Sequence, residues 1–317
     1  MTTLSRTDAA KWLAERDRFV ILTHRRPDGD TIGSAAALCL GLRQLGKTAH
    51  VLVNAEVTPK YAPLLEGLTK VEAWAGDTVI SVDVAAFSML PEPFKKYFIA
   101  LRIDHHENRE TFSDNELVDP SVAACGDIIF DILQQMQVTL DKPLANALYT
   151  AVSTDTGCFR YANTTAHSYQ VAAACAQAGG DIFSLNQALF DTNSLARLRV
   201  QGYLVENARF LQDGKVVICA LPRKVEQELG ATEDDLENIS GFPRSIEGVK
   251  LAVTLREEPN GRIKISARAV PGCDAAELCA KFGGGGHKGA AGANMDCTMA
   301  EAVQALIKAL PILEMDN

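Results

Sequence analysis

The stretch FVILTHRRPDGDTIGSAAALCLGLRQLG, Phe19 to Gly46, sets the architecture. Its first part, FVILTH, is a short continuous apolar run, the pattern of a strand buried on both faces. A Pro-Asp-Gly-Asp turn follows, and the Ala- and Leu-rich segment beyond it reads as a helix ending near Gly46. Further along, TAHVLVN (Thr48 to Asn54), TVISVDVA (Thr78 to Ala85) and FIALRIDHH (Phe98 to His106) repeat the strand pattern. Strands alternating with helical stretches give parallel βαβ units. The expected fold class is therefore α/β, an N-terminal parallel sheet with helices on both faces.

Upstream, Met1 to Arg18 reads as a polar-faced helix without the apolar core of a secretion signal. From about Val122 to Arg209 the pattern is helical, broken at Pro143, Gly157 and Gly179–Gly180. Strand patterns return in KVVICALP and in VKLAVTLREEPNGRIKISARAV, where Pro259-Asn260-Gly261 marks a hairpin turn. A helix near Ala275–Phe282, the loop GGGGHKGAAG and a last helix from Met299 close the chain. At 317 residues the chain exceeds what one core supports. The expected division is a catalytic domain over 1–190, a helical connection over 191–209 and a smaller α/β domain over 210–317.

Hydrophobic residues make up 47% and charged residues 22%, so a soluble globular protein is expected. No apolar run is long enough to cross a bilayer, and the cytoplasm is the expected compartment. The eight cysteines include no CxxC pair, which argues against a zinc site or a disulfide framework and for free thiols. A net charge of −9 argues against binding long nucleic acid, whose phosphates demand a basic surface. A substrate with only a few phosphates stays open, because bound cations can supply positive charge locally.

The decisive pattern is where the Asp and His residues fall. In open α/β sheets, ligands bind at the carboxyl ends of strands. His24 ends the first strand, with Asp28 and Asp30 just beyond it. Asp83 ends the third, and Asp104, His105 and His106 end the fourth. Asp155 can join them from the helical segment ALYTAVSTDTG. Taken singly, Pro-Asp-Gly-Asp is an ordinary solvated turn and a strand-end Asp an ordinary helix cap. Their joint appearance at three strand ends, with three of the chain's six histidines, argues against separate explanations. So many carboxylates and imidazoles in one place repel each other unless cations lie between them. Mixed oxygen and imidazole ligation without sulfur suits manganese, with magnesium, iron or cobalt as alternatives. The ligand count fits two ions, which roughly 3.5–4 Å apart can clamp a phosphoryl group and activate water.

The other unusual feature is KFGGGGHKGAAG, Lys281 to Gly292. Four consecutive glycines cost backbone entropy that a domain tolerates mainly where the backbone approaches something closely. Gly283, Gly284, Gly285 and Gly286 could form an anion-binding nest of amides, with His287 and Lys288 adding donors and charge. Arg268 in ISARA is a further phosphate-binding candidate, and Arg109 and Arg160 are weaker ones.

Together these motifs resemble the DHH phosphoesterase superfamily. THRRPDGDTIGSA, SVDVA, RIDHHENRETF and STDTGCFRY are similar to its four motifs in order, and ISARAVPGCDAAELCAKFGGGGHKGAAG is similar to the accessory DHHA1 domain. Length and the short interdomain gap are most similar to the bacterial nano-RNases. The resemblance implies manganese-dependent hydrolysis of very short RNA oligonucleotides, and of adenosine 3′,5′-bisphosphate, with substrate gripped between the domains. It also implies His24, Asp28 and Asp83 on one ion, and Asp30, Asp83, His105 and Asp155 on the other. His106 would face the scissile phosphate as a catalytic group, and Asp104 would orient the histidines. Ala124–Cys125 stands where relatives often carry Ser-Thr. A cyclic- or linear-dinucleotide phosphodiesterase is the alternative, as is a non-catalytic nucleotide-binding regulator. The presence of Asp28, Asp30, Asp83, His105 and Asp155 disfavours the regulator. A homodimer is compatible with the sequence.

Overall fold

The computed structural model describes residues 2–107, 110–236 and 238–311. The chain divides into two compact units, Met1–Thr192 and Asn193–Asn317. In chain order the first unit contains β1 (Thr2–Thr3), α1 (Arg6–Ala14), β2 (Phe19–Leu22), α2 (Gly29–Gln44), β3 (Ala49–Leu52), β4 (Thr69–Lys70), β5 (Thr78–Val82), β6 (Leu101–Asp104), β7 (Asn115–Val118), α3 (Cys125–Gln135), α4 (Lys142–Asp155), α5 (Ala166–Gln177) and α6 (Ile182–Asn186).

The seven strands form one sheet in the order β1-β7-β6-β5-β2-β3-β4, every pair parallel. Alternation sorts their side chains between two faces. Phe19, Ile21, Ile80, Leu101 and Ile103 pack with residues of α1–α5 in the larger core. Val20, Leu22 and Val79 pack on the other face with Leu90, Phe94 and Ile99, from a segment holding only the single-turn helices Phe87–Met89 and Glu92–Phe94. The expected N-terminal helix is shorter than Met1 to Arg18, because Thr2 and Thr3 pair with Asn115 and Glu116 at the sheet edge.

Small residues bring α2 and α4 together. A Cβ on Gly29 would collide with the Thr154 side chain, and one on Gly33 with the Ala147 carbonyl. The helices are thus antiparallel, and the first turn of α2, with Asp30, sits beside the last turn of α4, with Asp155.

The second unit contains α7 (Leu195–Glu206), β8 (Arg209–Leu211), β9 (Val216–Leu221), α8 (Arg223–Glu228), β10 (Leu251–Glu257), β11 (Ile263–Ala269), α9 (Ala275–Ala280), β12 (Gly285–His287), β13 (Ala290–Met295) and α10 (Met299–Ala309). Its sheet runs β12-β13-β11-β10-β9-β8, antiparallel except for β9–β10. One face packs residues of α9 and α10, and the other packs Val200 and Leu204 of α7 with Ile239. The hairpin expected at Pro259-Asn260-Gly261 joins β10 to β11. All eight cysteines are free. Among the described residues no helix is long and apolar enough to cross a membrane.

Candidate metal centre

From β2 the chain moves to β3 and β4 on one side, then returns to β5, β6 and β7 on the other. The order reverses between β2 and β5, and a crevice at such a switch point is where open α/β sheets bind ligands. β6, β5 and β2 are consecutive neighbours, so His24, Asp83 and the Asp104–His106 run leave adjacent strand ends. Asp83 leaves its strand at a φ of 55°, a left-handed conformation that costs a residue with a Cβ about 1–3 kcal/mol.

The possible cation ligands fall in two clusters bridged by Asp83: His24, Asp28 and Asp83 form one, and the overlapping sets Asp30–His105–Asp155 and Asp83–His105–His106 form the other. In the first, His24 Nε2 lies 3.8 Å from Asp83 Oδ2 and 4.0 Å from Asp28 Oδ1. His24 Nδ1 lies 2.8 Å from the Arg25 carbonyl, a hydrogen bond that leaves Nε2 as the nitrogen that could hold a cation. In the second, His105 Nε2 lies 3.7 Å from Asp30, 3.5 Å from Asp83 Oδ1 and 3.4 Å from Asp155. The two Asp83 oxygens therefore face different groups. Asp83 Oδ1 is buried and has no hydrogen-bond partner among the described residues. An orphaned carboxylate oxygen among three other acids and two imidazoles is what a divalent cation would satisfy, so the donor set fits one at each group.

Burial explains the electrostatics. It raises Asp30 to about 6, against the pull of His105 and the amides of Cys125 and Gly126. Burial and the charge of Asp30 raise Asp155 to about 8, and burial with Asp30 and Asp28 raises Asp83 well above its ordinary value. Burial opposes charge on His105 and His106, yet the surrounding carboxylates raise both. Without cations, protons carry the compensating charge.

Asp104 is different. Burial alone would raise it, but the His106 ring and the Arg102 guanidinium hold it at about 2. Its Oδ1 accepts from His106 Nδ1 at 2.9 Å and from the His105 and His106 amides at 2.8 and 3.3 Å. The His106 side chain is 40% exposed, against 12% for His105. Asp104 thus fixes the His106 ring and the backbone of both histidines, and its carboxylate does not reach the His105 ring by any described hydrogen bond.

Several contributors were not singled out in the sequence. The Thr31 hydroxyl lies 2.5 Å from His24 Nε2, 2.6 Å from Asp83 Oδ2 and 3.1 Å from Asp28 Oδ1. One hydroxyl proton cannot satisfy all three acceptors. Fully buried Arg102 bonds Asp104 Oδ2 and the carbonyls of Ala85 and Glu110, tying two site loops together. Its signal is an arginine inside an otherwise apolar strand. Ala124, the N-cap residue of α3, makes no side-chain cap, and Asp30 replaces it by accepting from Cys125 N at 2.7 Å and Gly126 N at 3.0 Å.

The glycine-rich segment is not the loop expected. Gly283, at a φ of 72°, ends α9: its amide bonds the Ala280 carbonyl and that of Gly284 the Cys279 carbonyl. Those two amides are spent within the domain, which removes them from an anion-binding nest. Gly285, Gly286 and His287 form β12, paired with Gly292, Ala291 and Ala290. A Cβ on Gly284 would collide with the Gly292 carbonyl and one on Gly286 with the Ala290 carbonyl, so these two glycines answer close strand packing. Gly285, His287 and Lys288 are exposed. Arg268 and His287 both lie opposite Ala290, on one face of the sheet. Arg109 lies outside the described residues, and Arg160 Nε donates to the Gly157 carbonyl.

Residues 18–152 match the DHH family, N-terminal domain, and residues 213–311 the DHHA1 domain. The chain is 33% identical over 277 residues to the bifunctional oligoribonuclease and PAP phosphatase NrnA of Thermus thermophilus, covering 87% of this chain and 83% of that one. It is 26% identical to the cyclic-di-AMP phosphodiesterase GdpP of Geobacillus thermodenitrificans, over 94% of this chain and 48% of that one. Among solved structures, an exopolyphosphatase-related protein from Bacteroides fragilis superposes with a TM-score of 0.85 at 26% identity, covering 96% of this chain and 95% of that one.

Proposed function

Because this chain belongs to the DHH family of phosphoesterases and carries a DHHA1 domain, and is thus a hydrolase, we propose that it hydrolyses very short RNA oligonucleotides and adenosine 3′,5′-bisphosphate. The observation that carries the reading is the pair of ligand groups sharing Asp83, together with the NrnA relatives. His24, Asp28 and Asp83 would hold one divalent cation, and Asp30, Asp83, His105 and Asp155 a second, manganese in each case. When bound, such ions supply Lewis acidity to the phosphoryl group and acidify water.

The chain's own residues do the rest. Asp83 holds the two groups in register from its left-handed backbone position. Asp104 orients the His106 ring through Nδ1, which leaves Nε2 to donate a hydrogen bond or proton to a phosphate oxygen. In the second unit, His287, Lys288, Arg268 and the backbone of Gly285 and Gly286 are the proposed substrate grip. The acidic net charge of −9 agrees with a preference for short substrates.

The test is a manganese-supplemented assay on a diribonucleotide, a long RNA, adenosine 3′,5′-bisphosphate, a cyclic dinucleotide and pyrophosphate. The reading expects turnover of the diribonucleotide far above long RNA, and it fails if neither the diribonucleotide nor the bisphosphate is cleaved. A cyclic-dinucleotide phosphodiesterase is the second reading, favoured by the GdpP relative, and the same assay separates it. His287→Ala should raise KM and leave metal content intact; loss of metal would remove His287 from the grip.

A further inference from the structure

Between His24 and Asp28 the site loop carries two adjacent arginines, Arg25 and Arg26, both exposed. Other arginines of this unit are engaged: Arg6 with Asp119 and Asp131, Arg18 with Asp77, Arg102 with Asp104. Neither Arg25 nor Arg26 has a side-chain hydrogen bond or ion pair among the described residues, although Asp28 is two or three positions away and half-exposed. Arg26 has a φ of 52°, and the next residue is the buried Pro27. A left-handed φ is uncommon for a residue with a Cβ, and a following proline restricts the backbone further. Such strain persists only where the surroundings impose it. Here the loop is pinned by the Arg25 amide on the Met89 carbonyl at 2.8 Å and by the Asn54 side-chain amide on the His24 carbonyl at 2.8 Å.

We propose that Arg25 and Arg26 form a phosphate-binding clamp for the substrate phosphate that is not cleaved, the terminal phosphate of a short oligonucleotide or the second phosphate of a nucleoside bisphosphate. The chemistry follows from placement. The ligand groups take the scissile phosphate and carry fixed negative charge, so a second phosphate nearby needs its own cations. Guanidinium forks bind phosphate through paired N–H donors, and unpaired ones need break no ion pair to do so. The clamp rests on the proposed phosphoesterase reading and goes beyond it, by giving the site a preference for terminally phosphorylated substrates.

The test compares the diribonucleotides pApA and ApA, which differ by one 5′-phosphate, on the manganese-loaded wild type and on Arg25→Gln/Arg26→Gln. Charged hydrogen bonds of this kind correspond to a KM about tenfold or more lower for pApA than for ApA in the wild type. That ratio should fall toward one in the double variant, shrink with added salt in the wild type, and be partly restored by Arg25→Lys/Arg26→Lys. A wild-type ratio near one, or a ratio preserved in the Gln variant, overturns the clamp. Should the wild type cleave neither dinucleotide, the function reading fails separately. The same two molecules then serve as stable ligands, and the ratio of their Kd values decides the clamp by the same criterion.

Discussion

The switch-point end of the first sheet and the glycine edge of the second are both unusual stretches of this chain, and they are built oppositely. At the first, side chains carry the charge: buried and partly buried carboxylates and imidazoles are held 3.4–4.0 Å apart by loops that accept backbone strain at Asp83. At the second, side chains are missing because backbone must meet backbone, as Gly284 does with Gly292. Charge density gathers in the buried region, while the exposed edge offers only His287, Lys288 and half-buried Arg268. A run of rare residues thus signals a constraint, which is chemical in one place and steric in the other.

The contrast breaks most sharply at Asp30. Asp30→Ala removes a proposed ligand and also strands the Cys125 and Gly126 amides at the start of α3. Activity should fall more than the 10–100-fold typical of losing a partner that only orients a ligand, and each unpaired amide should cost about 1–3 kcal/mol of stability. Rate assays and denaturant unfolding check the two parts, and a variant with normal rate would mean that Asp30 only caps α3. A smaller effect is expected at the edge. Gly286, at a φ of 143° and with a Cβ site 2.6 Å from the Ala290 carbonyl, should lose about 1–3 kcal/mol on substitution by Ala. Gly285, with nothing within 4 Å of its Cβ site, should change by less than about 0.5 kcal/mol. Equal losses would contradict the packing account.

The smallest effect is on pH. Asp30 and Asp155 rise from an ordinary 3.8 to about 6 and about 8 in the fold. The folded metal-free protein therefore binds more protons than the unfolded chain between those values. Its stability is greatest at the acid end of that window and declines as pH rises through 6 and 8. Thermal melts of chelator-treated protein should show a falling Tm from pH 5 to 8, with the stabilisation by added manganese growing over the same range. A Tm that rises over that range would refute this assignment of protons.

Much of this is legible in the sequence. Apolar runs ending in Asp or His locate β2, β5 and β6, because strands buried on both faces read as continuous hydrophobic segments. Asp155 is legible because Gly157 marks the helix end beyond it. The residues that serve through contact with distant segments are not legible. Thr31 acquires its role from the fold that sets it between His24 and Asp83, and Asp30, although legible as a possible ligand, acquires its second role of capping α3 only from the packing of α2 against α3 and α4. The GGGG run is legible as a constraint, but its hairpin partner Gly292 lies beyond the run and shows only in the register of β12 and β13.

Everything proposed for this site depends on Asp83 joining two metal groups, and metal analysis of Asp83→Asn, with rate measured alongside, decides the matter. Two divalent cations per chain are expected in the manganese-loaded wild type, one or none in the variant, and a phosphodiester hydrolysis rate more than about a hundredfold lower. A variant that keeps both ions and hydrolyses at a near-normal rate would overturn the shared-ligand reading.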